Sequence, residues 1–157
     1  MFQIEEIIMC LVNKSSHPLE SRIWLLVEPG DFIDGYSVIS GRGAREAAEK
    51  GLTMPLWASL LLKLRNLLVK PFGLKTTRPT SGDAIGMFPV TYENGREIIL
   101  GMPDKHLDFR ISVMREDGRI HMATWVHPKN VFGRLYLAAV MPFHILIVRS
   151  ALHRIGT

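Results

Sequence analysis

Leu107-Asp108-Phe109-Arg110-Ile111-Ser112-Val113-Met114 alternates apolar and polar residues with a period of two. Leu107, Phe109, Ile111 and Val113 share one side, and Asp108, Arg110 and Ser112 the other, with His106 continuing the polar series. That pattern predicts a strand with one face on a core. Asp117-Gly118 follows, and then a second β-type run, Ile120–Val126. Asp-Gly between two such runs supplies the positive φ angles of a primed hairpin turn. Asn94-Gly95 sits in the same way between Ile85–Tyr92 and Arg96–Met102, so it too predicts a hairpin tip with positive φ. Pro89 cannot donate to a ladder, which places it at an edge or a bulge.

Downstream, Pro128 closes the last strand and Asn130 is placed to cap a helix reaching about Ile155. Its ~25 residues span ~38 Å at the α-helical rise. From Leu135 to Val148 this helix is apolar almost all round, so most of its surface is expected to be covered. Its uninterrupted apolar length falls short of the ~20 residues a membrane span needs, which reads as a core helix. Pro142 removes a backbone donor near the middle and predicts a bend in a continuous helix. Arg149, His153 and Arg154 suit the negative end of the helix dipole.

Upstream, Ile4, Ile7, Ile8 and Leu11 predict a short amphipathic helix ending near Asn13. Arg22–Val27 is apolar and fits either a strand or a helix. Pro29-Gly30-Asp31 is a turn, and Phe32–Ile39 a strand. Ala44–Lys50 predicts a short helix stopped by Gly51. Thr53 can cap another over Trp57–Val69, whose Leu60, Leu61, Leu64, Leu67 and Leu68 form an apolar face. No linker or repeat interrupts the chain. It reads as one α+β domain over residues 1–157, residues 1–17 being an extension.

The 157 residues are 47% hydrophobic and 22% charged, a globular composition that excludes a disordered chain. The net charge of +4 divides evenly about Arg78, with no polybasic block, so no nucleic acid is expected as partner. Cys10 is the only cysteine, which excludes an intrachain disulfide and a cysteine zinc site. A reducing, cytoplasmic location fits. Met1–Val12 lacks the basic start of a secretory signal.

Several segments together resemble a bacterial family, domain of unknown function 2867. They are Pro29-Gly30-Asp31-Phe32-Ile33-Asp34, Trp57 with Leu64-Arg65-Asn66, Gly82-Asp83, Asp104 to Arg110, and Gly133-Arg134-Leu135-Tyr136 leading to Pro142-Phe143-His144. The order of elements is similar to the helix-grip fold of START-like and Bet v 1-like proteins. That resemblance implies a curved antiparallel sheet, here of about five strands, gripped by the long C-terminal helix. It also implies an apolar ligand held between the two. The family implies no reaction.

Two groups of polar residues invite chemistry. His106, Asp108 and Arg110 share a strand face, as do His121, Trp125 and His127. If the two faces coincide, histidines, a carboxylate and a guanidinium converge, a set suited to proton transfer or carboxylate capture. The ordinary alternative is a solvated outer sheet face. Asp104-x-His106-x-Asp108 has no metal-motif spacing, so no metal is expected. His144 lies on the most apolar turn of the last helix, as a core histidine or as a polar anchor. Turn formation accounts for Asp31, and neither Asp34 nor Asp83 carries a motif. There is no Gly-x-Ser-x-Gly nucleophile elbow and no complete phosphate loop.

The expected function is a non-catalytic binding module for a small apolar or amphipathic molecule, without cofactor. Its wall is expected to include Phe109, Ile111, Tyr136, Phe143 and Trp57, with Arg110 or His144 orienting the ligand's head. An acid–base enzyme of cyclase or hydratase type in the same cup is one alternative. A structural or interaction protein without ligand is the other.

Overall fold

A computed structural model of the chain describes residues 12–53, 66, 70–72, 82–103 and 105–157. The helices expected before Val12 and over Trp57–Val69 fall outside the described residues, Asn66 apart.

Seven strands form one antiparallel sheet in the order β1-β2-β7-β6-β5-β4-β3. They are β1 (Asn13–Lys14), β2 (Phe32–Ile39), β3 (Ala84–Ile85), β4 (Phe88–Glu93), β5 (Glu97–Pro103), β6 (Leu107–Glu116) and β7 (Arg119–Pro128). The alternating run becomes β6, paired along its whole length with β7 from Leu107↔Pro128 to Glu116↔Arg119. Asp117 and Gly118 turn that hairpin with φ of 50° and 70°.

The expected count of about five strands was low. Residues Asn13 and Lys14 pair with Ser37 and Tyr36 as an edge strand rather than ending a helix. The run Ile85–Tyr92 is broken by Gly86 at φ +60° into β3 and β4. Pro89 faces only the two-residue β3, next to an irregularity between Val90 and Tyr92. Two-residue strands carry no periodicity to read.

The Asn94-Gly95 turn also departs from expectation, because Gly95 does not take a positive φ. Asn94 builds the turn with its side chain. Its Oδ1 accepts from the N–H groups of Arg96 and Glu97, each at 2.8 Å. An asparagine that closes the turn itself removes the need for left-handed backbone.

Both faces of the sheet are covered. On one, residues 15–27 cross the strands as a strap. Ser15 N–H donates to Gly35 O at 3.0 Å, and a Cβ on Gly35 would collide with the Ser15 carbonyl. The ambiguous Arg22–Val27 run resolves into a 3₁₀ turn, Arg22–Leu25, capped by Ser21. Ile23 of the strap is fully buried against Ile99, Ala123 and Trp125. The polar series of β6 therefore does not look onto bare solvent.

On the other face lie a short helix, Ala44–Gly51, and the terminal helix, Val131–Gly156. Val38, Ile98, Leu100, Val113, Ile120 and Met122 meet Ala47 and Ala48 from the short helix and Leu152 and Ile155 from the terminal one. Each such aliphatic side chain contributes roughly 1.5–3 kcal/mol by burial. Gly51 lets the two helices approach, since a Cβ there would meet the Ile155 side chain.

The terminal helix is 26 residues long and continuous through Pro142. Asn130 caps it as expected, its Oδ1 accepting from Gly133 N–H at 2.9 Å. Gly133 is seated against the His106 carbonyl with no room for a side chain. Burial along the inner side is graded. Val148, Ala151, Leu152 and Ile155 are buried, whereas Tyr136, Leu137, Val140, Met141, His144 and Ile147 are only partly so.

The expectation that most of this helix is covered fails on its outer side, where Val131, Leu135 and Leu146 are exposed by 69%, 66% and 59%. Only one side of a helix can meet the sheet, and an all-round apolar sequence does not say which. The full helix is also long and apolar enough to cross a membrane, by length and composition alone. The reading of a too-short apolar stretch missed the turns on either side of it.

Candidate functional site

β2 begins with Phe32 and delivers alternate residues to the two faces of the sheet. Asp34 and Tyr36 fall on the helix side. His144, on the inner side of the terminal helix, donates its Nε2–H to Asp34 Oδ2 at 3.1 Å. Phe32 meets the imidazole edge to face, with ring centres 6.1 Å apart. The Asp34 side chain is only 9% exposed. Its second oxygen, Oδ1, is buried and accepts no hydrogen bond among the described residues. An orphaned buried acceptor costs about 1–3 kcal/mol, so this half of the carboxylate stands ready for a donor.

The surroundings are apolar and partly exposed. Thr124, Phe109 and Ile111 lie on the same sheet face, set by the pairs Asp34↔Thr124 and Ile111↔Thr124. Phe109 and Ile111 are half-buried, as is the middle of the terminal helix. Burial pushes the Tyr36 hydroxyl above its usual pKa, the Asp34 charge adds to this, and Arg149 opposes it.

Two further polar centres lie on the strap side. Asp31, whose side chain is almost fully buried, accepts from His127 Nδ1 at 2.6 Å and from Trp125 Nε1 at 2.8 Å. Burial of Asp31 opposes its ionisation. Hydrogen bonds from the Glu28 N–H, His127 and Trp125 outweigh that and hold the carboxyl below its usual range. The hydrogen bond to Asp31 in turn raises the pKa of the half-exposed His127.

Nearer the middle of the sheet, Glu97 is 2% exposed. It accepts from Ser21 Oγ, from Ser112 Oγ at 2.6 Å and from Arg22 N–H at 3.0 Å. His17 Nε2 shares a 2.9 Å hydrogen bond with Ser112 Oγ. Burial, reinforced by the nearby His121, lowers the His17 pKa to about 4.

The expected residues divide between these places. Phe109, Ile111, Tyr136 and His144 lie on the helix side. Phe143 is half-exposed on the flank of the helix, outside the inner row. Arg110 is on the strap side, paired with Asp108, so it cannot orient a ligand held under the terminal helix. Trp57 lies outside the described residues.

Asp108 and Arg110 do share a face with His121, Trp125 and His127, as Arg110↔Trp125 and Asp108↔His127 require. His106 leaves that series: it lies before β6, takes a hydrogen bond from Asn130 and packs on Phe132. His121 sits at the far end, opposite Met114. No group of three or more potential metal ligands occurs among the described residues.

Asp31 and Asp34, for which the sequence alone offers no catalytic role, are the residues that organise the two histidine pairs. A visible signal existed. They are three apart across a strand start, so they must point to opposite faces.

The architecture is that of an α+β domain with a large antiparallel sheet and a long C-terminal helix. Residues 27–151 match the family model described as protein of unknown function (DUF2867), and the chain belongs to that family. No curated protein and no solved structure matches the chain.

Proposed function

We propose that this domain is a binding module for a small amphipathic molecule held between the helix side of the sheet and the middle of the terminal helix. One observation carries the reading: Asp34 Oδ1, buried beside His144 and without a hydrogen bond among the described residues. Phe32, Phe109, Ile111 and the helix residues opposite offer apolar contact, at ~25 cal/mol per Å² buried. A site of that kind orients its ligand by a few convergent polar groups. Here the open group is an acceptor, which favours a head bearing N–H or O–H over a carboxylate head. The resemblance to helix-grip proteins supports the same location.

The test is titration with long-chain amines, alcohols and fatty acids, read by displacement of an environment-sensitive apolar dye. Amines and alcohols should bind more tightly than acids of equal chain length. Asp34→Ala should reduce that preference about tenfold, the equivalent of ~1.4 kcal/mol. A wild-type protein that binds none of them would sink the reading in favour of a ligand-free structural role.

The same pair favours a second reading, acid–base catalysis. A carboxylate that fixes an imidazole's tautomer is the usual support of a histidine general base. Chemical conversion of a bound ligand, lost in His144→Ala while binding survives, would select it.

A further inference from the structure

We infer that the outer side of the terminal helix docks in the plane of an anionic lipid surface. The exposed residues Val131, Leu135, Pro142, Phe143 and Leu146 recur at helical spacing and form one stripe. At the α-helical rise their sixteen positions cover roughly 24 Å. An exposed apolar run of this size on a folded domain marks a contact surface.

Charge selects the partner. All fifteen Asp and Glu residues lie at or before Asp117, whereas five of the nineteen Lys and Arg residues follow it. The last forty residues therefore carry +5, and the rest of the chain −1. Arg134 and Arg149 are exposed on the terminal helix itself, and Lys129 precedes it. Apolar side chains interspersed with cations, with no anion among them, match the boundary between acyl chains and acidic headgroups. Each cation near such a surface adds to the attraction.

The fold fixes the orientation. The start of the helix is held by the Asn130 cap and by Gly133 against His106. Its end is held by the buried Val148, Leu152 and Ile155 and by Arg154, which donates to the Gly51 carbonyl at 2.5 Å. A rod tied to the sheet at both ends presents its side. It meets the bilayer lying flat, and it does not cross it while the domain is folded.

The experiment uses the full chain and vesicles of phosphatidylcholine, with or without phosphatidylglycerol. Wild type should float with the anionic vesicles and bind neutral ones at least tenfold more weakly. Leu135→Glu/Leu146→Glu should reduce anionic-vesicle binding at least tenfold, and Arg134→Glu/Arg149→Glu should do so without touching the apolar stripe. Circular dichroism must show each variant folded.

A fluorophore at position 135 (Leu135→Cys in a Cys10→Ser background) should be in water in the free protein and shift to the blue on vesicles. Failure of folded wild type to bind anionic vesicles would overturn the inference. So would a blue-shifted label in the free monomer, which assigns the face to another segment of the chain. A dimer broken by Leu135→Glu/Leu146→Glu assigns it to a second copy, with the same consequence. Dye displacement by amines is read separately, so loss of one result leaves the other standing.

Discussion

Glu97 and Asp34 are carboxylates withdrawn from water on opposite faces of one sheet, and they are treated differently. Glu97 receives donors on both oxygens, from Ser21 and Ser112 on one and from the Arg22 N–H on the other. Asp34 receives His144 on one oxygen and, among the described residues, nothing on the other. The first arrangement fastens the strap to the sheet and leaves neither oxygen without a donor. The second keeps capacity in hand beneath a helix whose middle is only part-buried. A buried polar group that is fully satisfied is a fixture, and one left half-satisfied is a candidate site.

The largest expected effect tests the fixture. Glu97→Ala strands two buried hydroxyls and a backbone N–H, and should cost about 3–4 kcal/mol in urea denaturation. A loss under about 1 kcal/mol would show that the strap is held without Glu97. The contrast between the two carboxylates would then disappear.

Next in size is an acid effect on the same face. His17 is buried neutral with its pKa lowered to about 4. The unfolded chain, with histidine near 6.5, binds the proton first. Stability is therefore full above about pH 6.5 and falls as pH drops towards 4, by on the order of 2–3 kcal/mol from this group. His121 stands 6.4 Å away and its own pKa is lowered by burial, so it works in the same direction. Denaturation of wild type and His17→Asn between pH 7 and 4 checks this. Equal slopes in the two proteins would remove His17 from the account.

The smallest effect is expected at Asp34. Asp34→Ala removes a half-paired buried carboxylate together with the hydrogen bond to His144, and these changes oppose each other. Stability should move by less than about 1 kcal/mol. A loss above about 2 kcal/mol would make Asp34 a fixture like Glu97, and the candidate site would lose its main support.

The parts of this architecture that rest on neighbours in sequence were legible. The alternation of β6, the Asp117-Gly118 turn and the Asn130 cap each follow from residues within a few positions of one another. His144 reads from the sequence as either a core histidine or a polar anchor, and its partner was hidden. Asp34 and His144 are 110 positions apart, and Asp31 and His127 are 96 apart. Only the register of β2 on β7 and the path of the terminal helix bring them together. The strap escaped notice because the run from Ser15 to Val27 is neither alternating nor helical. Its residues are chosen for the face they cross, with Gly35 beneath Ser15 and Ser21 above Glu97.

The spacing of Asp31 and Asp34 has a consequence for how the sheet finds its alignment. Sliding β2 by one residue against β7 would turn every side chain of the strand over. Asp31 would lose Trp125 and His127 on one side, and Asp34 would lose His144 on the other, in the same movement. The two aspartates thus act as a pair of keys cut for opposite sides of one lock. A misaligned strand fails on both sides at once, so the error is penalised twice.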